Sequence, residues 1–264
     1  MEKVLYNSIG DGYNSTRKAD PFIAECIYKS IYTGKDKIYL DIGCGTGNYT
    51  IALNNKGLTL YGIDPSEKML ETALQRNSNI TWVKGKAENI PVRDNFFGGI
   101  FGTLTLHHWT DIEKGFKELY RVLHPGGRIA FFTSAPGQME RYWLNHYFPV
   151  MMEQSIKQMP EIASLEKAAV NSGFELLSSQ KYFVKDDLQD HFLYVGKNRP
   201  EIYFDNVIRH GISSFAALSN ADEVDKGLAK LKEDLRTGTF QSVRESYENN
   251  EGDYFIFKAV KPVI

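Results

Sequence analysis

Residues 39–50, YLDIGCGTGNYT, join an apolar run ending in Asp41 to three glycines on alternate positions, Gly43, Gly45 and Gly47. KIYLDI reads as a buried strand, and NYTIALNNKG reads as a helix that stops at Gly57. A glycine turn between a strand and a helix brings a ligand close to backbone amides at the helix N-terminus. Glycines can also serve only a tight turn, but the flanking strand and helix supply the context that a binding loop needs. The spacing is G-x-G-x-G, not the G-x-G-x-x-G of a dinucleotide site.

Outward from this loop the pattern alternates. LTLYGID, NITWVKG, FFGGIFGTL and GGRIAFFTS read as strands. PSEKMLETALQRN and TDIEKGFKELYRVL read as helices, the second opened by a capping box from Thr110 to Glu113. Upstream, Asp20 and Pro21 start a helix carrying Phe22, Ile23, Cys26, Ile27 and Ile31 at helical spacing. Such alternation predicts a parallel sheet covered by helices on both faces. After Ser134 the rhythm changes. GQMERYWLNHYFPVMMEQSIKQM is predicted helical, EIASLEKAAVNSG a helix and FELLSSQKYFV a strand. Residues 185–250 read as mostly helical, and DYFIFKAV as a last strand. The predicted layout is a lid and helix at 1–36, a binding core at 37–135, cap segments at 136–160 and 186–250, and core elements at 161–185 and 251–264.

The 264 residues carry a formal charge of −2, with hydrophobic residues at 42% and charged residues at 24%. That balance argues for an ordered globular chain and against a broad nucleic-acid or anionic-membrane surface. No apolar run is long enough to span a bilayer, and the opening MEKVLYNSIGDGYN lacks a signal-peptide core. Two cysteines, Cys26 and Cys44, make no disulfide framework, so a reduced, cytoplasmic protein is expected.

The charges around the glycines narrow the ligand. Asp41 would repel a pyrophosphate and attract an ammonium or sulfonium. Asp64 ends the second strand, where an acidic side chain can bind both ribose hydroxyls. A ligand with a ribose and a positive charge but no diphosphate is indicated, and S-adenosylmethionine fits where NAD does not. Taken singly, Asp41 and Asp64 could instead cap the helices that follow them.

LDIGCGTGNYT, GIDPSEKML, GKAENIPVRDNFFGGI, HHWTD and ELYRVLHPGG, in this order, resemble successive motifs of the class I S-adenosylmethionine-dependent methyltransferases, most closely the small-molecule methyltransferase type 11 family. The resemblance covers residues 37–134. It implies a Rossmann-like, doubly wound α/β fold. The seven-stranded sheet would be mostly parallel with an antiparallel last strand, and a mostly helical cap would be inserted after the fifth and sixth strands. It further implies that Asp41 holds the methionine amino group, directly or through water, with Gly43, Cys44 and Gly45 against the methionine portion and Gly47 also in the cofactor-binding loop. Asp64 would take the ribose, Pro65 and Met69 would flank the adenine, and Ala87 and Glu88 would read its edge. Thr103 and Leu104 would face the sulfonium. Where relatives have aspartate, this chain has Gly98. The product would be S-adenosyl-L-homocysteine.

Methyl transfer needs alignment and water exclusion, and a base only if the acceptor must lose a proton. His107 and His108 are the base candidates, with loop shaping as the competing role. Tyr13 could cover the cofactor and Arg17 could meet its carboxylate, or both could simply pack. Arg141, Tyr142, Trp143, His146, Tyr147, Phe148, Arg209 and His210 mark a region able to line an acceptor pocket or to fill a core. No metal-binding pattern is convincing. The expected enzyme methylates a small organic acceptor as a monomer or homodimer, without nucleic acid or membrane. The competing functions are an RNA or protein methyltransferase and a non-catalytic cofactor-binding protein.

Overall fold

The strand β1, Ile38–Ile42, is apolar because both of its faces are covered. Tyr39 joins one core cluster while Leu40 and Ile42 join the other. β5, Leu123–Thr133, divides in the same way: Ala130 and Phe132 face one side, Ile129 and Phe131 the other. That period of two with apolar residues on both sides is the signature of a central strand.

The computed structural model describes residues 16–263. The remaining strands are β2 (Thr59–Asp64), β3 (Thr81–Lys84), β4 (Phe97–Thr103), β6 (Glu175–Tyr182) and β7 (Tyr254–Val260). They form one seven-stranded sheet in the order β3-β2-β1-β4-β5-β7-β6. The pairings among β1 to β5 are parallel, and β7 runs antiparallel to both neighbours, as expected. Strand order reverses between β1 and β4, so the chain leaves these adjacent strands in opposite directions and opens a crevice at their C-terminal ends.

Local chemistry sets the helix boundaries. Asp20 accepts from the amides of Phe22 and Ile23, and Pro21 opens the helix Pro21–Ile31, which buries Ile23, Ala24, Ile27 and Ile31 against the sheet. The long helix Ala221–Thr237 is capped by Asn220 and ends at Gly238 in the left-handed region. Gly98, which stands where relatives have aspartate, is closely packed. A Cβ there would fall 2.5 Å from the Cβ of Lys37, so glycine lets the segment before β1 lie against the start of β4.

The aromatic stretch after Ser134 is not one helix. It forms three short ones, Pro136–Met139, Leu144–Tyr147 and Pro149–Lys157. Pro149 cannot continue the preceding helix and starts a new one. Asn145 folds back to donate to the carbonyls of Met139, Glu140 and Tyr142, closing the turn before it. Between residues 185 and 199 the chain is irregular rather than helical. Helices covering 200–246 complete a cap over the crevice.

Trp143 is the cap's keystone. It is fully buried, meets Tyr203 and Phe240 edge-on with ring centroids 5.6 and 5.1 Å away, and donates from Nε1 to the Lys197 carbonyl at 3.0 Å. Trp143→Ala is expected to cost about 3–5 kcal/mol, read as a lower urea midpoint for unfolding.

Candidate active site

The glycine loop is held to the end of β2, since the amides of Gly43 and Cys44 both donate to the Ile63 carbonyl. Its three glycines are required for different reasons. A Cβ on Gly43 would collide with Thr105 Oγ1 at 2.0 Å, and one on Gly47 with the Trp82 ring at 2.4 Å. Gly45, at φ +53°, has nothing within 4 Å of where its Cβ would stand. Gly43 and Gly47 therefore allow close packing, while Gly45 leaves the loop open on one side. From outside, the Arg76 guanidinium braces the loop by donating to the Thr46 carbonyl and to Asn48 Oδ1, both at 2.7 Å.

Beneath the loop, Asp41 is almost completely buried. Oδ2 accepts from the Thr50 hydroxyl at 2.6 Å, and Oδ1 has no hydrogen-bond partner. Burial pushes its carboxyl up to about 7, against the lowering effect of Thr50. An orphaned carboxylate oxygen behind an open glycine loop fits a cationic ligand group, which would hold the ionised form. Asp64 accepts from the amides of Gly45 and Ser66, each at 2.9 Å, which leaves other lone pairs available. Burial raises its pKa despite those bonds.

A cavity of about 600 Å³ opens at this loop and runs under the cap. Gly43, Gly45, Asp64, Pro65, Met69, Ala87 and Glu88 line it from the first loops, and Thr103, Leu104, His107 and His108 from the end of β4 and the turn after it. Asp41, Cys44 and Gly47 lie behind that wall, and Tyr13 lies outside the described residues. Burial keeps the Cys44 thiol protonated, in accord with packing rather than reactivity.

Leu104 adopts φ +50°, which costs a non-glycine residue about 1–2 kcal/mol. Its amide is held by the Phe132 carbonyl at 2.8 Å. Strain at the base of a cavity points to a constrained site. The short 3₁₀ turn Leu106–His108 follows. His107 Nδ1 is buried without a partner, so Nε2 is the nitrogen left for a ligand. Burial, then His108 and Arg17, lower its pKa well below the usual range, and burial lowers His108 to about 4. Both imidazoles are neutral at neutral pH.

Residues 40–131 match the family described as a methyltransferase domain. A solved structure from Anabaena variabilis, ascribed to a methyltransferase of an antibiotic biosynthesis pathway, is 32% identical with a TM-score of 0.82; the match covers 93% of this chain and 98% of that one. The chain belongs to the class I S-adenosylmethionine-dependent methyltransferases, type 11 family. An uncharacterised methyltransferase of Oceanobacillus iheyensis is 37% identical over 42% of this chain and 51% of its own length. A malonyl-[acyl-carrier protein] O-methyltransferase of Serratia marcescens is 34% identical over 38% of this chain and 40% of its own. The match thus spans about half or less of these curated relatives.

Several roles expected of this methyltransferase need correction. Thr110 does not cap the helix Ile112–Val122; Asp111 does, accepting from the Lys114 amide. Thr110 is drawn away because its amide and hydroxyl both donate to Glu88 Oε1, at 2.7 and 2.9 Å. Burial works to raise the Glu88 pKa, but these bonds and its own amide outweigh it and keep the carboxyl below its ordinary value. Arg17 lines the cavity yet is already ion-paired, its Nε 2.5 Å from Asp190 Oδ1, with the Tyr49 hydroxyl also donating to Asp190. The aromatic residues Tyr142, Trp143, Tyr147 and Phe148 are core, with Tyr142 stacked on Tyr194 at 3.9 Å. Arg141 faces a separate cavity of about 470 Å³, His146 meets Lys230, and Arg209 and His210 lie off both walls. The cap instead presents residues that no motif marks, such as Met139, Met159, Phe192 and Ile212. Among the described residues, no group of His, Cys, Asp and Glu could hold a metal ion and no helix is long and apolar enough to cross a membrane.

An unfolded Asp41 ionises near 3.8 and the folded one near 7, so between these values the folded state keeps the extra proton. Stability at this position is therefore full in acid and falls as pH rises towards about 7. Asp41→Asn, which cannot ionise, is expected to gain stability relative to the parent across that window and to level off above it. The histidines act in the opposite sense and cancel in the comparison. Paired urea titrations at several pH values check this.

Proposed function

We propose that this chain transfers a methyl group from S-adenosylmethionine to a small organic acceptor held under the cap. The observation that carries the reading is the buried, unpartnered Asp41 oxygen behind the open Gly45. When bound, S-adenosylmethionine supplies an electrophilic methyl group on a sulfonium.

The chain's own residues divide the remaining work. Asp41 holds the amino group, through a water where the loop intervenes, and Asp64 takes the ribose hydroxyls. Pro65 and Met69 flank the adenine, with the Ala87 amide and Glu88 Oε2 at its edge, since Oε1 is engaged by Thr110 and Asp111. Thr103 and Leu104 form the floor where the acceptor meets the methyl group, and the cap excludes water. His107 takes the proton of an acceptor hydroxyl as a base that burial has weakened, the acceptor oxygen releasing that proton as it bonds to the methyl group. Two free cysteines fit a reducing cytoplasm, and the mild acidity fits a partner that is not nucleic acid. A monomer or homodimer suits a site built within one chain.

S-adenosylmethionine and S-adenosylhomocysteine are expected to raise the melting temperature where NAD does not. A native-state ligand at a hundred times its Kd adds about 2.7 kcal/mol. Because Asp41 must give up its proton to pair with the ammonium, affinity measured by calorimetry should increase with pH and level off above about 7. A flat profile would remove Asp41 from the cofactor site. His107→Ala is expected to slow turnover roughly 10²–10⁴-fold while leaving cofactor affinity near the parent's. Equal turnover would leave His107 as scaffold.

A further inference from the structure

The two ends of the cavity differ in charge. The charged side chains on its described wall are Arg17, Asp64, Lys86 and Glu88, all from the first third of the chain; Arg17 reaches the cap, but its charge is already matched by Asp190. From Ser134 to Tyr254 the wall contains no charged residue. That part is built on Met139, Met159, Phe192, Leu193, Ile212 and Leu218, with serines, Gln158 and Tyr254 as its polar groups.

Acidic groups buried in the cap are already paired elsewhere. Asp190 holds Arg17, Asp234 takes Lys230 at 2.8 Å and the Tyr147 hydroxyl at 2.9 Å, and Asp253 takes Lys197 at 2.8 Å. None of these three acidic side chains lines the cavity. A phosphate, carboxylate or ammonium placed under the cap would leave water without a counter-charge, and burying an unpaired charge is strongly unfavourable. Two unbranched methionines on the wall allow the pocket to adjust to rings of different shape.

We infer that the methyl acceptor is an uncharged, largely apolar molecule, selected by a cap that carries no charge on its side of the cavity. This rests on the methyltransferase reading, since it assigns the cap end to the acceptor. Hydroxyl or carbonyl groups on such a molecule would find the serine hydroxyls and the Gln158 amide. The cap therefore rejects charged acceptors by desolvation.

The test compares 2-naphthol with 2-naphthoate at neutral pH, two rings of one size differing in charge. Calorimetry is run on the full chain, alone and with S-adenosylhomocysteine. Naphthol is expected to bind at least about tenfold more tightly. Leu218→Lys, which puts a cation on the half-buried rim of the wall, is expected to narrow or reverse that ratio. Should the variant not fold, the comparison on the parent chain decides. Naphthoate binding as tightly as naphthol, or neither probe binding, would overturn the inference. Failure of S-adenosylhomocysteine to bind would instead bring down the cofactor reading, and the charge preference measured on the chain alone would still be decided separately.

Discussion

A carboxylate buried in the middle of a two-faced strand is the constraint around which this methyltransferase is organised. Asp41 sits between Leu40 and Ile42, residues that belong to a dry core, and one of its oxygens has no partner. Burial there disfavours the ionised carboxylate and lifts its pKa to about 7, so acid and carboxylate are both populated near neutral pH. Binding a cation changes that balance. Thr50 on the following helix and the glycine loop above it keep the carboxyl oriented without neutralising it.

The surrounding structure serves that placement. Sheet order reverses between β1 and β4, and the two loops leaving these strands enclose the cavity from either side. Gly43 lets the first loop touch Thr105 at the start of the second, so the glycine loop and the histidine turn share a contact. Leu104 is forced into the left-handed region at that junction, and Glu88 ties the other end of the turn through Thr110 and Asp111. A strained residue between two anchored ends is a rigid floor.

The cap has a different physical basis. Its tryptophan and tyrosines pack on one another and hydrogen-bond to main-chain groups, as when the Tyr203 hydroxyl donates to the Leu193 carbonyl at 2.6 Å. Buried aromatic residues with satisfied polar tips give stability and shape. The wall facing the cavity mixes flexible aliphatic residues such as Met139, Met159 and Leu193 with Phe192, and the buried acidic groups of the cap are held in ion pairs away from it.

Much of this architecture was legible in the chain itself. Alternating strands and helices and the helix start at Asp20-Pro21 depend on local backbone preferences and on periodic burial, which neighbouring residues encode. The positions of the loop glycines, Asp41 and Asp64 were legible for the same reason, since they stand in or directly after the strands β1 and β2. Partnerships between distant residues were not. Asp190 claims Arg17 from 173 positions away, and Glu88 takes Thr110 from a cap it would otherwise form. In the cap, aromatic richness could mean pocket or core, and only packing decided for core, because large rigid rings fill an interior more efficiently than they line a wall. Met139, Met159, Phe192 and Ile212 have no sequence signature in common; the tertiary fold alone brings them to one cavity.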